Sequence, residues 1–227
     1  MPSNLPYFAA GRTYGNMSDF TPNSNAPEIL ATMAQVYAED GPALEYQTVY
    51  QLLVAVMLSA QTNDNQVNKI TRQLFVDYGT PQAMAQLSAP ELEAKIQTCG
   101  LYKNKAKNIA ATTRLLLDEY NGEVPHTREE LVRLPGVGRK TANVVLSVGF
   151  GLPALAVDTH IFRVAHRLGF SQGKTPDAVE ADLCRLIPEA DWAKAHHWFI
   201  WHGRRVCDAR RPNCQECPLA ALCPQAF

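Results

Sequence analysis

Apolar residues recur at helical spacing along most of this chain, as in Ile109, Leu115 and Leu116, or Val179, Leu183 and Leu186, so each stretch predicts a helix with one buried face. Punctuation between the stretches agrees. Ser88 with Glu91 and Thr127 with Glu130 have capping-box spacing, and Asn63 with Gln66 offers a third such pair. Thr80-Pro81 and Thr175-Pro176 place a cap residue before a proline at the first helical position. No alternating strand pattern of useful length competes, and no solenoid period is present. The expected fold class is all-α.

Two stretches break the pattern. Residues 1–25 are rich in Pro, Gly, Asn and Ser without an apolar period and predict a loose leader. From Arg204 onward Pro212, Pro218 and Pro224 interrupt the helix, leaving a loop that needs something to hold it. The longest apolar run, 52–60, is too short for a membrane span, which takes roughly 18 residues, and predicts a buried helix.

The tail supplies its own fastening. Cys207, Cys214, Cys217 and Cys223 have six, two and five residues between them, four thiol ligands on one small loop. Zinc or a four-iron cluster would suit such a set. One close pair flanked by two outlying ligands favours the iron–sulfur cluster over the paired knuckles of structural zinc, and the ferredoxin spacing is absent. Cys99 and Cys184 read as small buried side chains. The chain shows no signal peptide, so it is expected inside the cell, in cytoplasm or nucleoid, where a disulfide framework is disfavoured.

With 227 residues and a formal net charge of −1, the chain lacks the strong basic footprint that often marks nucleic-acid binders. Any grip on DNA must be local. Lys103, Lys105 and Lys107 form one basic group, and Arg204, Arg205, Arg210 and Arg211 another; each is either such a grip or a solvated face.

The sharpest motif is Leu134-Pro135-Gly136-Val137-Gly138-Arg139-Lys140-Thr141, a double-glycine turn opening onto a helix. It predicts a helix-hairpin-helix, starting at the Thr127 cap and ending near Gly149. A helix start presents unpaired amides and a positive dipole end, which suits phosphate. A dinucleotide fingerprint fails because residue 141 is threonine where a third glycine is needed. The nucleotide-hydrolase loop fails because arginine, not glycine, precedes Lys140. What survives is a sequence-independent grip on a nucleic-acid backbone, with a plain tight turn as the bland alternative. Eighteen residues after Lys140 comes Asp158, within Val157-Asp158-Thr159-His160. Asp158 also reads as a helix N-cap. His160, His196, His197 and His202 read as packing or hydrogen-bonding groups rather than a zinc site, and Trp198 and Trp201 as core.

Taken together, these residues resemble the endonuclease III family of DNA glycosylases. The resemblance rests on Leu58-Ser59-Ala60-Gln61 with Asp64, Gly100-Leu101-Tyr102 with Lys105, the hairpin through Lys140, and residues 157–164. It extends to His196-His197-Trp198, His202-Gly203-Arg204 and the cysteine tail. It implies two helical lobes flanking a DNA cleft: a six-helix barrel over 42–152, and a second lobe from 26–41 and 153–227 carrying a 4Fe-4S cluster on the four cysteines. It further implies Lys140 as nucleophile with Asp158 as its carboxylate partner. Gln61 and Leu101 would fill the space of an extruded nucleotide, and Gly136, Val137, Gly138, Arg139, Thr141 and Arg204 would contact DNA. The departures are Asn63 where the family usually has threonine, a longer leader and a less basic charge.

The implied activity is a bifunctional glycosylase and abasic-site lyase acting on oxidised pyrimidines in duplex DNA, as a monomer. The related adenine glycosylase lacks the lysine and carries a further domain. A mismatch-directed thymine or uracil glycosylase, and a non-catalytic DNA-binding protein, are the other readings. One difficulty accompanies the lysine: with a free pKa near 10.4, about one in a thousand is neutral at pH 7.4, a deficit of about 4 kcal/mol. The helix dipole and Arg139 would favour the neutral amine, whereas Asp158 would favour the ammonium.

Overall fold

In the computed structural model, which describes residues 20–225, the chain is helical throughout its described regular structure. Two separate hydrophobic cores organise it. The first is assembled from residues 50–154 and the second from 26–37 together with 155–219.

The first core is built around α2 (Val49–Ser59), whose uninterrupted apolar run leaves nine of its eleven residues buried. Thr48 starts it by accepting from the Gln51 amide. Around it pack α3 (Asp64–Tyr78), the single turn α4 (Pro81–Met84), α5 (Ala89–Ile96), the long α6 (Tyr102–Glu119), and the hairpin helices α7 (Arg128–Leu131) and α8 (Arg139–Val144). A π-helical turn, Val145–Gly149, continues α8. Thr80 and Thr127 cap their helices through their side chains, and Ser88 with Glu91 forms a full reciprocal capping box. Asn63 caps α3 by accepting from the Gln66 backbone N–H, but the Gln66 side chain donates its Nε2 to Thr98 Oγ1 at 2.8 Å, so that third box is only half formed.

The second lobe joins α1 (Ala26–Val36) to α9 (Thr159–Arg167), α10 (Pro176–Leu186) and α11 (Trp192–Arg205). The last residues of the expected leader are among those described. Asn23 donates from its side chain to the carbonyls of Leu168 (3.0 Å) and Leu222 (3.1 Å), tying residues ahead of α1 to the cysteine loop. The rest of that leader, residues 1–19, lies outside the described residues. No described helix is long and apolar enough to cross a membrane.

The expected basic group at 103–107 also changes. Lys105 is buried at 6 % exposure, so it is neither a solvated charge nor a DNA grip.

Candidate active site and cluster loop

The chain crosses between the lobes at 154–158, and this crossing forms one wall of a cleft. Ala154, Leu155, Ala156 and Val157 are buried. Two side chains hold their carbonyls. Asn143, one turn along α8 from Lys140, donates to the Leu155 carbonyl at 3.0 Å, and His196 of α11 bonds the Ala156 carbonyl through Nδ1 at 2.9 Å. Asp158 then emerges at the N-terminus of α9, where its Oδ1 accepts from the Ile161 amide at 2.8 Å. The cap reading of Asp158 is therefore realised, and it orients the carboxylate.

Lys140 and Asp158 line the same two adjoining recesses of the cleft, together with Asp64, Trp201 and Arg204. Lys140 is exposed and makes no ion pair or hydrogen bond among the described residues, so Asp158 does not pin it as a paired ammonium. His196 lines the inner recess beside them. Burial lowers its pKa to about 4, helped by His197; Asp158 and the Ala156 carbonyl pull it upward, and Lys140 pushes it down. The ring is thus neutral where a lysine nucleophile works, and its bond to a carbonyl makes Nδ1 the protonated nitrogen.

The hairpin rests on α6. Thr112 donates to the Pro135 carbonyl at 2.8 Å, and Gly136, at φ +78°, leaves no room for a side chain, because a Cβ would lie 2.6 Å from the Asn108 amide nitrogen. Gly138 has open space where its Cβ would point, so a large group can approach the turn closely there. Val137 is core, 5 % exposed, and only its backbone is available to a ligand. Thr141 is half-buried in the first turn of α8.

Two arginines expected on DNA are occupied. Arg139 reaches from the hairpin to Glu180 of α10 through two hydrogen bonds of 2.8 Å, with Asp177 3.6 Å away. Its charge, expected to disfavour the ammonium of Lys140, is thereby largely compensated. Arg204 pairs with Asp64 at 2.6 Å across the cleft and lies over the Trp201 ring, as does Arg205. Trp201, expected in the core, is half-buried and lines the cleft.

Gln61 and Leu101 stand in adjoining turns. Both are exposed and both hold the left-handed backbone conformation, φ 57° and 59°, which costs a residue with a side chain about 1 kcal/mol or more. Leu101 is an apolar side chain left 56 % exposed. A Cβ on the preceding Gly100 would lie 3.3 Å from the Gln61 carbonyl, so the two turns abut.

The four tail cysteines line one recess with Arg167 and His202. Among the described residues no three His, Cys, Asp or Glu side chains converge as a single-ion site. The four cysteines line the recess without meeting at one point. Donors surround the sulfurs: Arg167 donates to Cys207 Sγ at 3.3 Å and the Leu219 amide to Cys217 Sγ at 3.4 Å. His202 Nε2 lies 4.0 Å from Cys217 Sγ, its Nδ1 is 2.8 Å from the Tyr37 hydroxyl, and burial lowers its pKa to about 4. Soft ligands in a partly buried pocket with hydrogen bonds to sulfur fit an iron–sulfur cluster.

A helical protein with a hairpin and a lysine opposite a carboxylate in an interlobe cleft belongs to a defined class, and the comparisons identify it. Residues 54–189 match the HhH-GPD superfamily of base excision DNA repair proteins, and residues 207–223 match the iron-sulfur binding domain of endonuclease III. Endonuclease III of Synechocystis is 48 % identical over 202 residues, covering 88 % of this chain and 92 % of its own. A non-covalent endonuclease III–DNA complex superposes with a TM-score of 0.87 at 45 % identity, covering 91 % of this chain and 97 % of that one. A trapped endonuclease III–DNA covalent intermediate gives 0.84 at 46 % identity, covering 88 % and 96 %. The chain belongs to the endonuclease III family of base excision repair glycosylases and abasic-site lyases, a DNA-binding family, and carries its 4Fe-4S cluster domain.

Proposed function

We propose that this protein removes oxidised pyrimidines from duplex DNA and then cuts the strand at the resulting abasic site, with Lys140 as nucleophile and Asp158 as the charge opposite it. The observation that carries this is that Lys140 and Asp158 line the same recesses of one cleft, with Lys140 in no hydrogen bond or salt bridge among the described residues.

A base within a duplex is out of reach, so the target nucleotide turns out at a cost of a few kcal/mol, least for a damaged base that stacks badly. Leu101 and Gln61 offset part of this by occupying the space left behind. The Gly136 to Gly138 turn and the first turn of α8 hold the backbone through amides, with Thr141 beside them. The neutral Lys140 amine attacks the sugar carbon bearing the base; the carbon–base bond breaks, its electrons leave with the base, and the proton that the amine sheds on attack balances the one the base takes up through solvent. Ring opening gives a protonated Schiff base on Lys140, and loss of the adjacent sugar proton expels the 3′ phosphate. Asp158 stabilises the positive charge that grows on the sugar as the base departs. Its cap bond to Ile161 keeps it aimed. Cys207, Cys214, Cys217 and Cys223 would hold the cluster; when bound, it fixes the tail loop, on which Arg163 and Arg167 also converge. The protein acts as a monomer on DNA holding a damaged base or an abasic site.

The test is a panel of duplexes carrying thymine glycol, a uracil mismatch, a thymine mismatch, adenine opposite oxidised guanine, and a bare abasic site. Release of thymine glycol with cutting of the abasic strand is expected. Preferential release of a mismatched base would overturn the substrate assignment, and absence of nicking at the abasic site would overturn the enzyme reading.

A further inference from the structure

Lys105 is a buried ammonium with no carboxylate within ion-pair distance among the described residues. Its three contacts are neutral: the Leu58 carbonyl at 2.8 Å, Thr62 Oγ1 at 3.0 Å and Cys99 Sγ at 3.1 Å. Filling space with an unpaired charge is costly, and an apolar side chain of the same length would fill it without that cost. What the charge does instead is visible in its partners.

Leu58 lies in the last turn of α2, where carbonyls lack amides further along the helix and the dipole end is negative. The Thr62 amide bonds Ser59 instead, and Lys105 takes the Leu58 carbonyl, with the Cys99 thiol donating to the same oxygen at 3.3 Å. An ammonium from α6 thus ends α2, and the chain leaves that end directly into Gln61. The Lys105 main chain acts on the other turn, because its amide donates to the Leu101 carbonyl at 3.1 Å. One residue therefore grips both left-handed turns, with its side chain on the Gln61 side and its backbone on the Leu101 side.

We propose that Lys105 is a positioning residue for base eversion: with Thr62 and Cys99 it locks the Gln61 and Leu101 turns together, so that both side chains enter the duplex as one rigid wedge. This rests on the reading of the cleft given above. Lys105 touches no reacting atom. Its removal loosens the wedge and leaves Lys140 and Asp158 in place, so the loss falls on substrates whose base must be forced out of a duplex.

The experiment compares Lys105→Met with the wild-type protein in single-turnover release of thymine glycol from a duplex and from a single strand of the same sequence. Schiff-base trapping on a single-stranded abasic site and thermal melting are measured alongside. A loss of tenfold or more on the duplex, with single-strand release and trapping within about threefold of wild type, is the expected result. Equal losses on both substrates, or no loss in a variant that melts as wild type, would overturn the role. If Lys105→Met does not fold, Thr62→Val decides by the same comparison, a smaller duplex-selective loss supporting the role and a uniform or absent loss overturning it. Wild-type protein inactive on every substrate would instead overturn the underlying reading.

Discussion

The Asn143 side-chain amide donates to the Leu155 carbonyl, joining the helix that carries Lys140 to the segment that delivers Asp158. Asn143 is fully buried. Among the described residues its Oδ1 has no partner, so its Nδ2 bond to Leu155 is what its polar side chain contributes. Asn143→Leu leaves the Leu155 carbonyl unsatisfied and is expected to cost about 1–3 kcal/mol. Denaturant unfolding checks the stability, and base release and strand cutting should fall together because both need the same registry. A loss confined to one step would show that Asn143 acts elsewhere.

Asp158→Asn separates charge from shape. The amide oxygen still caps α9 at Ile161, so the local fold is retained, while the negative charge is gone. Base release is expected to slow by roughly 100-fold, with a smaller loss in cutting of a strand that already lacks its base. Comparable losses in both would rule out the charge-stabilising role.

Glu180 joins the lobes. It is nearly buried and holds Arg139 with two bonds, while Arg128 lies 3.5 Å away. Glu180→Gln removes the carboxylate that both guanidiniums share and leaves Arg139 only the more exposed Asp177. Because Arg139 is partly exposed, solvent screening limits the cost to about 1–2 kcal/mol. Arg139→Met combined with Glu180→Leu should cost less than the sum of the two single changes. Additive melting shifts would mean the pair is not coupled.

His196 gives the protein an acid-sensitive buried group. Its folded-state pKa of about 4 lies below the ordinary 6.5, so the unfolded chain takes up a proton first as pH falls. The stability present above about pH 6.5 is then lost toward pH 4, on the order of 1–2 kcal/mol by pH 5. Urea unfolding at pH 7.5 and pH 5 measures it, and His196→Gln should flatten the dependence. An unchanged slope in the variant would show that His196 is not the titrating group.

Local chemistry is what could be read along the chain. The threonine caps, the Ser88–Glu91 box and the Asp158 cap depend on neighbours three residues away, and the structure contains them. The hairpin glycines were legible for the same reason. The partners of Arg139, Arg204 and Lys105 lie 41, 140 and 47 residues away, and no spacing rule announces contacts of that kind. The local run of lysines misled similarly. Counting Lys105 with Lys103 and Lys107 treated sequence adjacency as a shared face, although Lys103 and Lys107 lie on an exposed face of α6 and Lys105 turns inward to the end of α2. Asn143 went unread, and His196 was read only as a packing or hydrogen-bonding group, because a side chain that acts on a distant backbone carbonyl leaves no motif.

Borohydride trapping on an abasic duplex tests the central claim most directly, because it captures the Schiff base itself. Wild-type protein should form a stable cross-link whose proteolytic fragment carries the adduct on Lys140, and Lys140→Gln should abolish it. Persistent cross-linking by Lys140→Gln, or an adduct mapped to another amine, would contradict the assignment of Lys140 as the nucleophile.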